Sequence, residues 1–479
     1  MIGFYGFALT ISAVLLAIPF AEYALIKRVH FQFLIPCWGA GGAIVWALLP
    51  RRDRFEPPGP QLSRTEVPTL FAIIDDVAAK TAQPAPREVY LVGNVNAWVT
   101  HRGGLMGFGS RRVMGVGLPL LQTLSADEVR AVIAHEFGHY DSGDVALGPW
   151  IYKTRAAIFR SLDGVHRTFV EGAFTWYARM FMRMTMAISR RQEFVADAIA
   201  ARVAGGAVMA SALKKVATLA PAYDAYFRHE VTPLLGAGFL PPIAQGFTTF
   251  LEHPRTQAIL ESNEAHTIGE PAGEFDSHPS MADRIDALNA LPVEGAPTTG
   301  HLGTRVDLAD PDNFAARYLR VAFGADNLDA LAPVRWEDTA GSVYLPHFMR
   351  LAQTHAEWLG DLTIDTLPAG RQAYVDRGAA LSDPREGYAD AEAQVGRALS
   401  VLSAAVTAAM ARAGWTIETG PGRSIDAVRG ADIVVPRDVV CALADGSLSP
   451  TDWAARATAL GLAGVRLRPD AVTGAPPSL

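Results

Sequence analysis

The chain has 479 residues, half of them hydrophobic and 19% charged, with a formal net charge of −7 and a mean hydropathy of +0.15. That length suits about two to four domains, and an acidic balance without basic runs argues against nucleic acid as a partner. The two cysteines, Cys37 and Cys441, exclude a disulfide framework and a cysteine-based metal cluster, and fit a reducing compartment.

The hydrophobic excess lies at the N-terminus. Residues 2–21 (IGFYGFALTISAVLLAIPFA) and 31–50 (FQFLIPCWGAGGAIVWALLP) are uncharged runs of spanning length. Joined by the polar turn 27–30, they predict a transmembrane hairpin over 1–54. The first run lacks the basic leader and small-residue cleavage site of a signal peptide. A buried soluble hairpin is disfavoured by two such runs in succession. Three arginines in 51–54, against one lysine and one arginine in the turn, place the N-terminus and everything after residue 50 on the cytoplasmic side of the cell (inner) membrane.

Residues 51–62, charged and proline-rich, read as a linker leaving the membrane. A helix is predicted over 63–83, opened by a capping box of Ser63 and Glu66. Short strands follow at 87–92, 96–100 and 113–120. The glycine-rich loop between the last two (HRGGLMGFGSRR) lacks the GK[ST] ending of a phosphate loop and reads as a hairpin turn. A second capping box, Ser125 with Glu128, opens the helix that carries HEFGH. Residues 145–188 are amphipathic and helical. Glu171, Arg179 and Arg183 speak against a full span, leaving a core helix or a membrane-surface helix. Another long helix is expected over 190–220, a packed loop over 232–250, and a helix over 278–291. After about residue 300 the chain is rich in Ala, Asp and Arg. One clear helix falls near 388–413, and its uncharged part is too short to span.

Positions i and i+4 share a helix face, so His135 and His139 aim at one point. Glu136 stands about 100° round, next to the open position of an ion held there. Catalytic zinc takes three protein ligands and a water, and the neighbouring glutamate serves as base. A solvated helix with incidental histidines is the alternative. It is weakened by Ile133, Ala134 and Phe137, because buried histidines beside a buried glutamate are costly without a metal or partners. The best third ligand is Glu193 in RRQEFVAD. Asp197, one turn on, would accept the free N–H of a ligand histidine. A salt-bridged surface face is the other reading of this stretch, set against the apolar neighbours Phe194, Val195, Ala196 and Ile199.

HEFGH followed by EFVAD resembles the gluzincin metallopeptidases of the HtpX and CAAX prenyl endopeptidase type. NVNAWVTHRGG (94–104) is similar to that family's NAFA…GG segment, and HPSMADRI (278–285) to its HPxxxxR motif. The resemblance covers about residues 64–291. It implies one zinc ion on His135, His139 and Glu193, with Glu136 as base and Asp197 behind a ligand. It implies further that His278 donates to the tetrahedral oxyanion or sits as a fourth ligand at rest, and that Arg284 holds that region. The segment with Asn94, Asn96, Ala97 and Trp98 would bind an extended peptide as an added strand. CAAX processing is not expected, because the additional spans that enclose a chamber are missing.

The expected fold is thus α+β and mainly helical. It comprises a transmembrane hairpin (1–54), a gluzincin-type peptidase domain with a small sheet (63–295) and a mostly helical C-terminal region (300–479). The expected function is a membrane-anchored zinc endopeptidase for extended or unfolded protein segments, in HtpX-like quality control. Two alternatives stand beside it: a non-catalytic zinc-binding chaperone or scaffold, and a latent protease gated by the C-terminal region.

Overall fold

The computed structural model describes residues 2–28, 30–49, 55–102, 111–139, 148–166, 168, 170–273, 276–292, 304–381 and 390–469. The fold is α+β and mainly helical, with small sheets of three, two and three strands among the described residues. The chain divides into two compact units. One comprises Met1–Ala222 with Leu260–Ala322, the other Tyr223–Ile259 with Phe323–Leu479.

In the first unit, α1 (Ile2–Ile26) and α2 (Phe31–Leu48) form the expected helical pair. α1 runs five residues past its predicted end. α2 stops at Leu48, because Leu49 precedes Pro50 and takes an extended backbone, as residues before proline do. The two helices approach closely. Ser12 donates to the Gly41 carbonyl at 2.8 Å, and a Cβ on Gly41 would lie 3.0 Å from Leu16 Cγ.

The Ser63–Glu66 capping bonds form as expected, but the helix they should open starts later, as α3 (Pro68–Lys80). Proline is tolerated in a first turn while disfavouring helix in the residue before it, and Val67 is accordingly non-helical. β1 (Glu88–Val92), β2 (Ala97–Arg102) and β3 (Arg111–Gly117) form a sheet in the order β1-β3-β2. β1 runs parallel to β3 and β2 antiparallel, so β2 is an outer strand. The predicted hairpin turn itself, 103–110, lies outside the described residues. Behind β3 come a short α4 (Leu118–Thr123) and α5 (Ala126–Gly138), which packs against α3 and β2.

Residues 145–188 do not stand apart from the N-terminal pair. α6 (Gly148–Val165) and the first half of α7 (Glu171–Ala204) share its core through Phe4, Ala8, Ile44, Ile158, Phe174 and Phe181. Phe7 stacks on Tyr177 with centroids 4.8 Å apart. Arg160 donates to the Ala47 carbonyl, so its charge sits among helices with a partner. The outward faces of these helices stay apolar, with Leu9, Phe20, Ile35, Trp46, Phe159, Trp176 and Met184 exposed.

α7 continues unbroken through Ser189, packs its second half on α5, and ends at Gly205, whose φ of +101° suits glycine. α8 (Gly206–Tyr226) follows. The unit is completed by the helix Met281–Asn289 and by 304–322. There Ala126 donates to the Thr304 carbonyl, and Arg317 pairs with Glu66 at 2.7 Å.

The second unit is built round the helix Ala391–Arg412, which buries Leu402, Val406 and Met410 beside Tyr374, Trp415, Val440 and Trp453. By length and apolarity this helix could cross a membrane, as Gly3–Ile26 could, but 61% of its apolar window is buried here in a protein core. An antiparallel sheet of Thr416–Gly420, Arg423–Arg429 and Asp432–Val434 adds β structure to a region expected to be mostly helical. Residues 232–250, predicted as a loop, form the helices Thr232–Gly236 and Ile243–Glu252 around a two-residue strand. Most of the Gly and Pro residues that suggested a loop fall at their ends or between them, and Gly246, inside the second helix, lets aromatic rings close in. A Cβ on Gly246 would lie 2.3 Å from the Tyr226 hydroxyl and 2.4 Å from Trp336 Nε1.

Candidate metal centre

α5 is fixed at both ends. At its start the predicted capping box is complete, and Glu128 also accepts from Ser211 (2.7 Å) and Lys215 (2.9 Å) on α8. Burial opposes its charge, but Lys215, the Ser125 N–H and Ser211 outweigh that and hold the carboxyl below the usual range. At the other end the Gln83 amide donates to the Phe137 carbonyl at 2.9 Å. His139 is the C-cap, still near helical geometry, so the i, i+4 relation to His135 survives to the last turn.

α7 crosses α5 where both backbones are bare. A Cβ on Gly138 would lie 2.7 Å from Ala196 Cα and 3.0 Å from Ala196 Cβ. Three residues before that crossing comes Glu193, and one after it Asp197. Both are buried and face α5. Glu193 Oε2 stands 3.5 Å from His135 Nε2, and Glu193 Oε1 3.7 Å from His139 Nε2. The imidazole rings are 4.8 Å apart, edge to face. Asp197 Oδ1 lies 2.9 Å from His135 Nδ1, which leaves Nε2 turned to the centre. Arg284, from Met281–Asn289, grips Asp197 with Nε at 2.8 Å and Nη2 at 2.7 Å, and stands 3.4 Å from Glu193. His278 Nδ1 is 3.1 Å from Glu193 Oε2, on an exposed side chain. Its loop is held by Arg190, which donates to the Asp276 carbonyl.

The electrostatics ask for a cation. Burial raises Glu193 and Asp197, but their partners win. His135, His278 and Arg284 hold Glu193 well below the carboxylate range, and Arg284 with His135 does the same for Asp197. Burial pulls His135 down, yet Asp197 and Glu193 push it up to about 9. Burial lowers His139 to about 4 and so keeps a lone pair on its ring. Glu136 is pushed up to about 7 by burial, with Glu193 adding and His135 opposing. Two ionised carboxylates and a third nearby thus face Arg284 and a protonated His135, whose extra proton a metal ion bound there would displace.

Do these residues fit a metal ion? Glu193 Oε2 is buried, and although His278 Nδ1 at 3.1 Å and Arg284 Nη1 at 3.4 Å face it, no described residue gives it a well-aligned hydrogen bond. The distances from Glu193 to His135 and His139 exceed hydrogen-bond length. They match instead donors that share one tetrahedral ion at about 2.0–2.1 Å each, which stand about 3.4 Å apart. The donor atoms of His135, Glu136 and His139 lie within 4.8 Å of one another. Imidazole nitrogens with a carboxylate oxygen are a zinc-type donor set.

All seven predicted residues of the centre are brought together. The other four are elsewhere: Asn94 and Asn96 are exposed just before β2, and Ala97 is buried at its start. Trp98 covers Gly115 on β3, where a Cβ would lie 2.3 Å from the indole. Its ring is spent on the sheet. The Gly138–Ala196 crossing was not anticipated. Its only sign in the sequence is the glycine between the two histidines of HEFGH.

A model of peptidase family M48 matches residues 65–291. A protease HtpX homolog of Thermococcus kodakarensis is 28% identical over 218 residues, 41% of this chain and 72% of its own length. A protease HtpX homolog of Ralstonia pickettii is 28% identical over 252 residues, 49% and 78% respectively. Protease HtpX of Pseudomonas fluorescens is 29% identical over 198 residues, 37% and 57%. No solved structure matches the chain.

Proposed function

Because residues 65–291 belong to the HtpX type of peptidase family M48, we propose that the protein is a membrane-anchored, zinc-dependent endopeptidase that hydrolyses peptide bonds in extended or unfolded segments. The observation that carries this reading is Glu193, a buried carboxylate facing both histidines of HEFGH at 3.5 and 3.7 Å with Glu136 alongside. His135, His139 and Glu193 would hold one zinc ion. Bound there, zinc supplies a Lewis acid that acidifies water and polarises a carbonyl.

The chain's own residues do the rest. Glu136, with a carboxyl poised near neutrality, takes a proton from the attacking water and passes it to the leaving amine nitrogen. His278, exposed at the edge of the site, donates a hydrogen bond to the oxyanion. Asp197 accepts from His135 and fixes its tautomer, and Arg284 holds Asp197 in place. The segment from Asn94 through Asn96, Ala97 and Trp98 opens the outer strand β2, which packs on α5. An extended substrate would lie along it through backbone hydrogen bonds.

Membrane anchoring is supported by the apolar faces of α1, α2, α6 and α7, too broad for water. We place the peptidase domain, 63–295, on the cytoplasmic side; of the described residues after 300, 304–322 belong to the first compact unit and the rest to the second. HtpX-like quality control is the corresponding biological role.

The test pairs zinc content with cleavage of casein, for wild type and Glu136→Gln. Equal zinc, near one per chain, with cleavage by wild type alone is the expected outcome. Cleavage by Glu136→Gln at the wild-type rate would remove Glu136 from the reaction, and absence of zinc from both would remove the metal.

A further inference from the structure

The second unit holds a cavity of about 390 Å³ that the peptidase chemistry does not use. Its wall includes one face of Ala391–Arg412, where Ser400, Ser403 and Thr407 replace the Ala, Val and Leu of the other faces. Ser400 and Thr407 spend their hydroxyls on the helix backbone. Ser403 Oγ is buried with no hydrogen-bond partner among the described residues.

Three arginines line the same cavity. Arg423 is committed to Asp426 at 2.7 Å and Glu418 at 2.9 Å. Among the described residues the Arg255 guanidinium bonds only the Ser424 hydroxyl, at 2.6 Å, and Arg437 makes no ion pair. The lining carboxylates are Asp438 on the rim and Glu230. Glu230 takes the Gly422 N–H at 3.0 Å, and burial pushes it up to about 7, so near neutrality much of it is uncharged and able to donate. The cavity therefore offers two uncommitted guanidinium forks in a volume suited to a small molecule.

We propose that this cavity binds a small oxyanion-bearing molecule, a phosphate ester or a polycarboxylate, whose anionic group sits against Arg255 and Arg437. The second unit is then a ligand-binding module attached to the peptidase. This assignment does not depend on zinc or on proteolysis.

Calorimetric titration of the full chain in detergent, with inorganic phosphate and with citrate, tests it against sodium chloride of matched ionic strength. Saturable binding of at least one probe is expected, weakened about tenfold or more in Arg255→Ala/Arg437→Ala. Both arginines are exposed, so that variant should fold, which its melting temperature reports. Arg456→Ala, an exposed arginine away from the cavity, should bind as wild type does. Binding of phosphate alone assigns the ligand to phosphate esters, and binding of citrate alone to polycarboxylates. No saturable binding of either probe, or equal binding by the double variant, overturns the proposal.

Discussion

Gly138→Ala adds one methyl group at the point where α5 and α7 touch. Its carbon would sit 2.7 Å from Ala196 Cα and 3.2 Å from the Ala196 carbonyl oxygen. Carbon atoms at their preferred separation stand about 3.5 Å apart, so about 0.8 Å must be found. The obstacle is backbone, so no rotamer change can supply it, and the helices must part. Ala196 lies between Glu193 and Asp197, so the movement falls on both. Glu193 Oε2, now 3.5 Å from His135 Nε2, would retreat beyond about 4 Å. That exceeds the span one ion bridges with bonds of about 2.0–2.1 Å.

Overpacking of this kind costs about 1–3 kcal/mol. Alanine regains up to about 1 kcal/mol through helix propensity. A net loss of up to about 2 kcal/mol remains, a weakening of zinc binding by up to about thirtyfold. Competition with a chromophoric chelator measures that affinity, and casein cleavage follows it at limiting zinc. Ala196→Gly in the same chain should restore part of the affinity, because it removes the clash with the Ala196 methyl and leaves the one with the backbone carbon behind it. If Gly138→Ala binds zinc and cleaves as wild type does, the crossing does not set the donor spacing.

Asn96→Ala should raise KM for casein while leaving bound zinc unchanged; unaltered kinetics would remove this segment from the substrate path. Glu128→Gln should cost about 1–3 kcal/mol at neutral pH, since a charged acceptor is lost from Lys215 and Ser211. The folded carboxyl titrates below the usual value, so its contribution is full above the unfolded pKa of about 4.3 and fades as pH falls through the folded one. Urea midpoints for wild type and variant should therefore converge in acid, and a gap constant with pH would contradict the pairing. An alkaline phosphatase reporter fused after residue 54 should be inactive, as a cytoplasmic fusion is; an active one would reverse the proposed topology.

What was legible in the sequence was what local chemistry dictates. Ser125 and Glu128 announced their capping box, the i, i+4 histidines shared a face, and Glu193 and Asp197 kept one turn between them. Failures came where a local rule competed with another or where the partner was distant. Ser63 and Glu66 make their capping bonds, but Pro68 decides where the helix begins. In 232–250 the glycines and prolines looked like breakers. Most sit at helix ends or between the helices, Gly246 lies inside one, and the apolar residues of the stretch answer to Tyr226 and Trp336, which no local window contains. Arg284 illustrates the same limit at the site. Its bidentate grip on Asp197 reaches across 87 residues, and the motif resemblance placed it only in the region of His278.

The interleaving of the units has a consequence for synthesis. As the chain leaves the ribosome, HEFGH and its glutamate partners emerge well before Arg284. Until Met281–Asn289 is made, Asp197 lacks its guanidinium clamp. Residues 223–259 emerge earlier still relative to their companions, since Trp336 and the helix Ala391–Arg412 come last. A nascent chain at that stage carries the aromatic cluster of Tyr226 and Phe247 uncovered, an opening for chaperones or for aggregation. The order of translation thus delays the complete His135–Asp197–Arg284 arrangement until the chain is past its midpoint.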